Sequence, residues 1–472
     1  MKRLTNIFLP LLLLASLTGC KSSSGLTWKS GDKVYYDRIL FDTSDASAKN
    51  PHIYLGVDAK VASVKLGRDD LKFGYSGKVL TLSAEGLRKA GPGEKTATVT
   101  FKDAKKVTVD IFNATKFIKT AEDFQGIGAD EKTAQGYYVL ANDIDCSSIS
   151  NFEPIGQYFS EEDPTNFYFH GILDGDGFAI KNVNCSYSDS PIVGTGETAY
   201  HSNSDVYAGS PKFSNEAHQS GDNTGIFQVI GSSGVVRNVA FDNCHVHGRT
   251  IVGIVAANVM GKVENILING NCSVSMDTHF YDDDCNTGAA FGIVAGSGNV
   301  DHIISLTTNV SILNFYQDFG DVYAGKVGNG WDHSSDPNNT DPWWRFAGVT
   351  KEVPDTSTKL VDSNGKHSNG VYSGVGKCWG STSNSVGASF KVITESETYD
   401  VSFGHTHTAI NKPTSGDSDL GSIENCAVFS TADLKKVDTY SIFNFDGTNV
   451  WEFADGAFPK LRQNINRFDI AK

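Results

Sequence analysis

One short phrase of glycine and apolar residues recurs three times in the middle of this chain. Each copy pairs a Gly-Ile-Phe or Gly-Ile-Val triplet with a later run that starts with valine, and the triplets lie 28 and 39 residues apart. The triplets begin at Gly225, Gly253 and Gly292, and the runs begin at Val236, Val263 and Val300. A phrase that returns at this spacing predicts a stacked architecture in which each unit buries its apolar face against its neighbours. It leaves the function open, because repeat scaffolds carry many different activities.

The N-terminus carries the features of a secretion signal. Two basic residues precede an apolar stretch, 7–14, that is too short to cross a bilayer as a stable helix. The stretch leads to Leu17-Thr18-Gly19-Cys20, which resembles the lipobox of bacterial lipoproteins. The resemblance implies a signal peptide over 1–19, acylation of the thiol and amine of Cys20, and a lipidated tether over 20–26. The alternative is an ordinary cleaved signal with an incidental cysteine.

Charge and composition limit the possible partners. The chain has 40 Lys and Arg against 55 Asp and Glu, a formal net charge of −15, so nucleic acid and anionic lipid surfaces are poor partners. With 48 glycines and 3 methionines, the composition is typical of a turn-rich β protein rather than a helical one. No segment after the signal is apolar enough to cross a membrane.

Seven cysteines remain besides Cys20, and an odd number cannot all pair in disulfides. None has the Cys-x-x-Cys spacing, which disfavours zinc and redox sites. Cys244 and Cys272 occupy similar places in successive repeats. Two interpretations stay open for them. They are small buried thiols stacked on each other, or one of them forms a disulfide, such as Cys272 with Cys285, which secretion would permit.

Residues 27–114 favour a separate β module. Alternation and turn residues predict strands over 61–66, 79–82, 96–101 and 106–112. Ser83 is predicted to cap one helical turn. Short strands joined by such turns indicate a β-sandwich. The run from Leu66 to Lys95 also resembles the Ig-like modules of bacterial surface carbohydrate-active proteins, and the resemblance implies a spacer between the anchor and the working domain.

From Thr115 onward the sequence changes to the repeat region. Thr120 and the acidic residues after it predict a short capped helix that covers one end of a stack. Several phrases then resemble bacterial surface proteins that bear the GLUG motif. They are Leu-x-Asn-Asp-Ile-Asp from Leu140, Pro154-Ile155-Gly156, Gly-x-Leu-Asp-Gly-x-Gly from Gly171, the Gly-Ile-Phe triplet, and, near the end, Trp451, Asp455-Gly456 and Phe458-Pro459-Lys460-Leu461.

The GLUG resemblance implies an all-β protein with a right-handed parallel β-helix over 115–463 and a C-terminal tail over 464–472. The family's Gly-Leu-Phe-Gly is here Gly225-Ile226-Phe227-Gln228, so the motif is degenerate. Asn238 and Asn265 lie in equivalent turns and are predicted to form an amide ladder, which His302 interrupts in the third copy. The predicted inward-facing core residues are Val236, Val239, Ile254, Val263, Ile266 and Ile293.

Two segments depart from the repeat and are predicted as inserts, 186–223 and 315–421. The first is rich in Ser, Gly and Asn, and the second contains tryptophans. Inserts on a repeat scaffold often carry the binding residues. Indole rings that lie among Asp and Asn side chains are suited to binding sugar rings. The alternative is that the rings fold inward and attach the long insert to the scaffold. The candidate ligand-binding residues are therefore Trp331, Trp343, Trp344 and Trp379.

No cluster of carboxylates has the residue spacing that a catalytic or calcium site requires. The consecutive aspartates 282–284 would point in different directions on a strand, which favours a solvated loop. Asp174 and Asp176 suit turn chemistry, and they lack the closing glutamate of a calcium loop.

Two histidine-containing phrases also fall short of a catalytic or metal site. Val300-Asp301-His302 is similar to a phrase in pectate lyases, but it occupies the Val-x-Asn position of the repeat. His405 and His407 would share a strand face, and no third metal ligand can be assigned. No catalytic residue, metal or cofactor is therefore predicted.

These features favour a lipid-anchored bacterial protein of the outer membrane that is exposed at the cell surface. Its spacer would hold out a β-helix that binds a glycan or another extracellular ligand, such as a host or cell-surface molecule, without catalysis. The rival is a polysaccharide lyase or glycoside hydrolase that acts in the β-helix groove, where a hydrolase needs two carboxylates facing the substrate. A structural surface-layer or adhesion protein is the third hypothesis.

Overall fold

The computed structural model describes residues 38–156, 167–186, 192–193, 200–201, 223–248, 251–277, 289–292, 294–307, 309–313, 344–347, 382–388, 390–394, 398–401, 423–441, 443, 445, 447 and 450–463. These residues form mostly β-strands with few and short helices, so the predicted all-β class is confirmed. The chain divides into two units, of which the first reaches Asn113 and the second begins at Ala114.

The first unit contains two sheets that share one apolar core. Its strands are β1 (Arg38–Asp42), β2 (His52–Tyr54), β3 (Val61–Leu66), β4 (Asp69–Asp70), β5 (Phe73–Ser76), β6 (Val79–Leu82), β7 (Gly93–Phe101) and β8 (Lys106–Ala114). The sheet orders are β1-β8-β7-β3-β4 and β2-β6-β5. The residues predicted to share a face of β7 and β8 are all buried, namely Ala97, Val99, Phe101, Val107, Val109 and Ile111.

The predicted strands and helix of this unit are present, and some of them are longer than predicted. β7 begins at Gly93 and β8 continues to Ala114, because the antiparallel pairing of the hairpin runs on to Gly93 and Asn113. The predicted helical turn is a longer helix, α1 (Ala84–Ala90). Its cap is confirmed, since the Ser83 hydroxyl accepts a hydrogen bond from the Gly86 N–H at 3.2 Å.

The second unit contains most of the strands. Its described elements are β9 (Lys116–Ile118), α2 (Ala121–Gln125), β10 (Tyr137–Leu140), β11 (Ile144–Asp145), β12 (Ile172–Asp174), β13 (Ala179–Lys181), β14 (Asn184–Ser186), β15 (Ile192–Val193), β16 (Tyr200–His201), β17 (Asn223–Thr224), β18 (Phe227–Ile230), β19 (Val235–Asp242), β20 (His245–Gly248), β21 (Ile251–Gly253), β22 (Ala256–Ile268), β23 (Ser273–Asp277), β24 (Ala289–Gly292), β25 (Ala295–Ser305), β26 (Asn309–Leu313), β27 (Trp344–Ala347), β28 (Thr382–Ala388), β29 (Phe390–Thr394), β30 (Thr398–Val401), β31 (Ile423–Phe429), β32 (Trp451–Glu452) and β33 (Lys460–Leu461).

Three sheets of this unit are built from parallel pairs. The main path of the eleven-stranded sheet is β31-β28-β25-β22-β19-β12-β10-β9; its other three strands are β13, which pairs with β19 and β11, β11 itself, and β18, which pairs with β22. The six-stranded sheet is β14-β20-β23-β26-β29-β30, and the four-stranded sheet is β17-β21-β24-β27. Only the last pair of the six-stranded sheet, β29 with β30, is antiparallel among these described pairs. From β20 to β29 the chain visits the six-, four- and eleven-stranded sheets in the same repeated order. Equivalent residues of successive repeats therefore lie side by side, as Val236, Val263 and Val300 do.

The three parallel sheets contribute residues to one apolar core. The predicted inward residues within the described part are buried, namely Val236, Val239, Ile254, Val263 and Ile266; Ile293 lies outside it. The predicted helix α2 also buries Phe124 in this core. Its cap is confirmed, because the Thr120 hydroxyl accepts from the Asp123 N–H at 3.1 Å and the Asp123 carboxylate accepts from the Lys119 N–H at 3.0 Å.

The structure differs from the predicted single insert over 315–421. Four strands, β27 to β30, lie within this range, and β28 pairs in parallel with both β25 and β31. Thr382 of β28 pairs with Val300 of β25, and Val386 pairs with Ile304. Ser385, which precedes Val386, is fully buried. The repeat was missed here because hydroxyl residues replace its usual apolar ones. The Ser385 hydroxyl instead accepts a hydrogen bond from the Ile303 N–H at 3.0 Å.

The outward side of the eleven-stranded sheet carries a second apolar row. Because side chains alternate along a strand, the residue between two inward ones points away from the interior. Register aligns five such residues on successive strands. We call this row the apolar stripe; it comprises Ala179, Ala240, Leu267, Ile304 and Val386, all of them buried.

The segment after β31, residues 430–463, covers the apolar stripe, and we call it the C-terminal strap. Its apolar residues form one core with the stripe, namely Leu434, Tyr440, Phe443, Trp451 and Leu461. The Trp451 indole packs against Phe445 and Phe453, with ring centroids 5.4 and 6.2 Å away. The strap reaches back as far as Gly177, where an added Cβ would collide with the Arg462 carbonyl oxygen.

Trp451→Ala should lower the free energy of unfolding by about 3–5 kcal/mol, because the indole is fully buried against the stripe. Trp451→Phe should lose less, since it keeps an aromatic ring in the same place and removes the indole N–H and one ring of the indole. The measurement is urea-induced unfolding followed by circular dichroism. Met260→Ala is the control, because Met260 is 53% exposed and should change stability by roughly 0.5 kcal/mol or less. Equal effects of Trp451→Ala and Met260→Ala would contradict this role of the strap.

Candidate functional site

Most of the predicted site residues lie outside the described part of the chain. This holds for Cys20, Trp331, Trp343 and Trp379, and also for the aspartates 282–284, Cys285, His405 and His407. Trp344 is described only through its backbone. It begins β27 and pairs in parallel with Ala289 of β24, so it lies in a strand and not in the loop that the sequence suggested, because that stretch joins the four-stranded sheet.

Asp174 takes part in a structural cluster within the described repeat. Its carboxylate is fully buried and forms an ion pair with the Arg237 guanidinium, with an Nε–Oδ2 distance of 2.8 Å. The other carboxylate oxygen accepts from the Asp176 N–H at 3.0 Å and from the Asn238 amide at 3.2 Å. A buried carboxylate with these partners holds the turn together, as predicted.

The predicted amide ladder is present. The Asn265 amide donates to the Asn238 Oδ1 atom at 3.2 Å, and the Asn238 amide donates onward to Asp174. Both asparagines have a left-handed backbone, with φ of 53°. Asparagine tolerates this conformation better than most residues, which explains its place in the repeat.

His302 interrupts the ladder without changing the turn. Its φ is also 53°, so the backbone conformation of the repeat is retained. The imidazole pairs with the neighbouring Asp301 carboxylate at 2.9 Å and meets the edge of Phe445 in the strap. Where a third asparagine would donate to the Asn265 Oδ1 atom, the Trp451 indole N–H donates instead, at 3.3 Å. Asp301 and His302 thus belong to the junction of repeat and strap.

A further row of asparagines was missed by sequence reasoning. The Asn243 amide donates to the Asn182 Oδ1 atom at 2.7 Å, and the Asn182 amide donates to the Asp145 carboxylate at 2.8 Å. Both asparagines again have positive φ. The Asp145 carboxylate also accepts a hydrogen bond from the Ser147 N–H. The bond from Asn182, followed by the bond from Ser147, lowers the pKa of Asp145. The signal in the sequence was asparagine before a buried cysteine or valine, at Asn182-Val183 and Asn243-Cys244.

The six-stranded sheet exposes a set of short polar side chains, which we call the polar face. Cys185, Val246 and Val274 are buried in β14, β20 and β23. The residues on either side of them therefore point outward. Register aligns Asn184 with His245 and Ser273 in one row, and Ser186 with His247 in the next. The polar face comprises Asn184, Ser186, His245, His247 and Ser273.

Hydrogen bonds hold the polar face in one arrangement. The His245 Nδ1 atom lies 2.7 Å from the Ser273 hydroxyl, and its Nε2 atom lies 3.1 Å from the Asn243 Oδ1 atom. Because this oxygen can only accept, Nε2 carries the proton and Nδ1 accepts from the serine. A single chain of donors therefore runs from Ser273 through His245 and the asparagines to Asp145.

This series of hydrogen bonds joins the Ser273 hydroxyl to the His245 imidazole, but the backbone around Ser273 does not suit nucleophilic catalysis. An acyl-transfer site needs backbone N–H groups aimed at a developing oxyanion. The Ser273 N–H donates to the Cys244 carbonyl at 2.9 Å and the Cys272 N–H to the Asn269 carbonyl at 3.1 Å. Both amides beside the hydroxyl are thus already used by the fold. The arrangement suits hydrogen bonding to a ligand.

Four cysteines, Cys146, Cys185, Cys244 and Cys272, are buried in the core as free thiols. Cys272 does not form the disulfide with Cys285 that was one of two open interpretations, because it packs beside Cys244, whose N–H lies 3.4 Å from the Cys272 sulfur. Burial raises the pKa of Cys185 to about 12, and burial together with Cys272 raises that of Cys244. Cys185 and Cys244 therefore remain protonated at neutral pH, and buried thiols of this kind act as small apolar side chains.

No group of three or more His, Cys, Asp or Glu side chains among the described residues could hold a metal ion. No described helix combines the length and the apolar character needed to cross a membrane.

Comparison with known proteins gives one partial similarity. A stretch of 155 residues, 31% of this chain, is 26% identical to halomucin of Haloquadratum walsbyi (strain DSM 16790 / HBSQ001). The chain spans about 1% of the length of halomucin. No family model matches the chain, and no solved structure matches it.

Asn238→Ala should destabilise the protein by about 2–3 kcal/mol, because alanine is strained at positive φ and both ladder hydrogen bonds are lost. Asn238→Gly loses the same hydrogen bonds but relieves the strain. It should therefore cost about 0.5–1 kcal/mol less. Urea unfolding of the two variants measures the difference. A glycine variant less stable than the alanine variant would contradict the strain argument.

Proposed function

We propose that this protein is a bacterial lipoprotein, anchored in the outer membrane through Cys20, that binds a glycan or another extracellular ligand at the cell surface without catalysis. Residues 27–114 serve as an Ig-like spacer, and 115–463 form a right-handed parallel β-helix. The repeated visiting order of three parallel sheets supports the β-helix. The polar face is the observation that carries the binding role, because it presents hydrogen-bonding groups on a rigid sheet.

The arrangement of carboxylates favours binding over catalysis. Asp174 is buried in an ion pair, and Asp301 accepts from the Asn384 amide at 3.1 Å while pairing with His302. Both carboxylates serve the scaffold, and a glycoside hydrolase needs two that face a substrate. The tryptophans of the predicted inserts, Trp331, Trp343, Trp344 and Trp379, remain proposed as additional sugar-stacking residues.

Cys20→Ser should release the protein from the membrane fraction, because acylation of the cysteine thiol and amine supplies the chains needed for stable anchoring. The measurement is fractionation of cells that express the wild-type or variant protein, followed by immunoblotting. Cys378→Ser is the matched control and should stay with the membranes. A Cys20→Ser protein that still fractionates with membranes would rule out the lipid anchor.

A polysaccharide screen distinguishes the binding role from its enzymatic rival. The soluble Cys20→Ser protein is incubated with neutral and acidic polysaccharides, and both retention of the protein and release of reducing or unsaturated ends are measured. Retention without released ends is expected. Released ends that disappear in Asp282→Asn or Asp284→Asn would establish the lyase or hydrolase instead. Lost retention in a Trp343→Ala, Trp344→Ala double variant would add the tryptophans to the binding site.

A further inference from the structure

We propose that the polar face is the ligand site itself, and that it binds an extended, uncharged polysaccharide lying across the strands of the six-stranded sheet. This inference rests on the proposed binding function and adds the site, the class of ligand and its direction. It is carried by the charge, the spacing and the internal bonding of the polar face.

The hydrogen-bonding groups of the polar face match hydroxyl groups. Asn184 offers its amide oxygen and its second N–H, and Ser273 offers the lone pairs of its hydroxyl, so donors and acceptors lie together on one surface. Both nitrogens of His245 are already hydrogen-bonded, and this ring holds the Ser273 hydroxyl in place. Sugar hydroxyls donate and accept in the same way. The polar face includes no aliphatic side chain, so it does not suit an apolar partner.

Charge favours a neutral polymer over an anionic one. None of the five residues of the polar face is Lys or Arg, whereas the hydrogen-bond chain that supports them ends on Asp145, whose pKa is lowered. A second carboxylate, Asp242, lies on the neighbouring strand β19, and the whole chain has a net charge of −15. Lys181 lies close enough to interact with both carboxylates, but it is paired with a third, Asp143, so three carboxylates face one lysine. A uronate or sulfate polymer would meet this remaining negative charge and no lysine or arginine on the polar face itself.

The rows of the polar face give the ligand a direction. Neighbouring strands of a sheet lie about 4.8 Å apart, which is on the scale of one sugar residue. The row from Asn184 through His245 to Ser273 crosses three strands at this spacing. A polymer across the strands would therefore meet one polar side chain of this row on each strand that it crosses.

The polar face is organised before any ligand arrives. The contacts of His245 with Ser273 and Asn243 already hold the imidazole in one orientation. The Asn184 amide likewise donates to the Ser150 carbonyl at 2.9 Å. Binding then orders few additional side chains, which reduces the entropy lost on association. Within the polar face, Asn184 and His245 are exposed and the other three residues are half-buried, whereas the strap covers the apolar stripe.

Calorimetric titration of the Cys20→Ser protein tests this site. The probes are neutral oligosaccharides of glucose, xylose and mannose, from disaccharide to hexasaccharide, and galacturonate oligosaccharides of the same lengths. Affinity for at least one neutral series should rise with length and exceed that for the galacturonates. His245→Ala and Ser273→Ala should each weaken binding of the hexasaccharide roughly tenfold. Met260→Ala, which changes an exposed residue outside the polar face, should bind as the parent protein does.

The outcomes separate this inference from the proposed function. If the parent protein binds a neutral oligosaccharide and the His245 and Ser273 variants, still folded by circular dichroism, bind it equally well, the polar face is not the site and the binding role stands. Tighter binding of galacturonates overturns the neutral ligand alone. If no probe binds and the polysaccharide screen also shows no retention, both the inference and the glycan-binding function are wrong.

Discussion

Parallel hydrogen bonding that places equivalent positions of the repeat side by side, with one register shift between Val259 and Val263, is the interaction on which the second unit depends. Because Val236, Val263 and Val300 lie side by side, every property of a sequence position is repeated in a row across the sheet. A valine becomes part of a continuous core, an asparagine part of a ladder, and an outward alanine or leucine part of a stripe. The consequence is that a small bias at one position of the repeat becomes a surface or a core several strands long.

Rows of this kind need suitable ends. An amide ladder leaves one donor and one acceptor without a partner, and both asparagine rows direct their last donor to a carboxylate, Asp174 in one row and Asp145 in the other. At the other end of the first ladder the repeat fails at His302, and the Trp451 indole supplies the donor to Asn265. The strap thus completes the amide ladder as well as the apolar core on the stripe. Both contacts attach this distant segment of the sequence to the repeat.

The outward faces of the two larger sheets have opposite chemistry, and the chain treats them differently. A row of Ala, Leu, Ile and Val exposed to water would favour association with other chains, and the aromatic residues of the strap cover it. The polar face needs no such cover, because its groups bond to each other and to water. A stacked repeat normally joins only neighbouring units, and the strap adds contacts across many strands.

Local patterns determined what one residue and its near neighbours can decide. Alternation predicted the faces of β7 and β8, capping chemistry predicted the starts of α1 and α2, and the recurring phrase predicted the core and the Asn238–Asn265 ladder. The end of the repeat was beyond this reasoning, because in β28 Thr382 and Ser385 replace apolar residues and only strand pairing reveals the equivalence. The polar face was missed for a similar reason, since Asn184, His245 and Ser273 are far apart in sequence and share no motif. The sequence by itself determined the repeat and the direction in which its residues point, because both follow from local periodicity. Only the tertiary structure decided which rows are covered and which are exposed, because that depends on where a distant segment, the strap, packs.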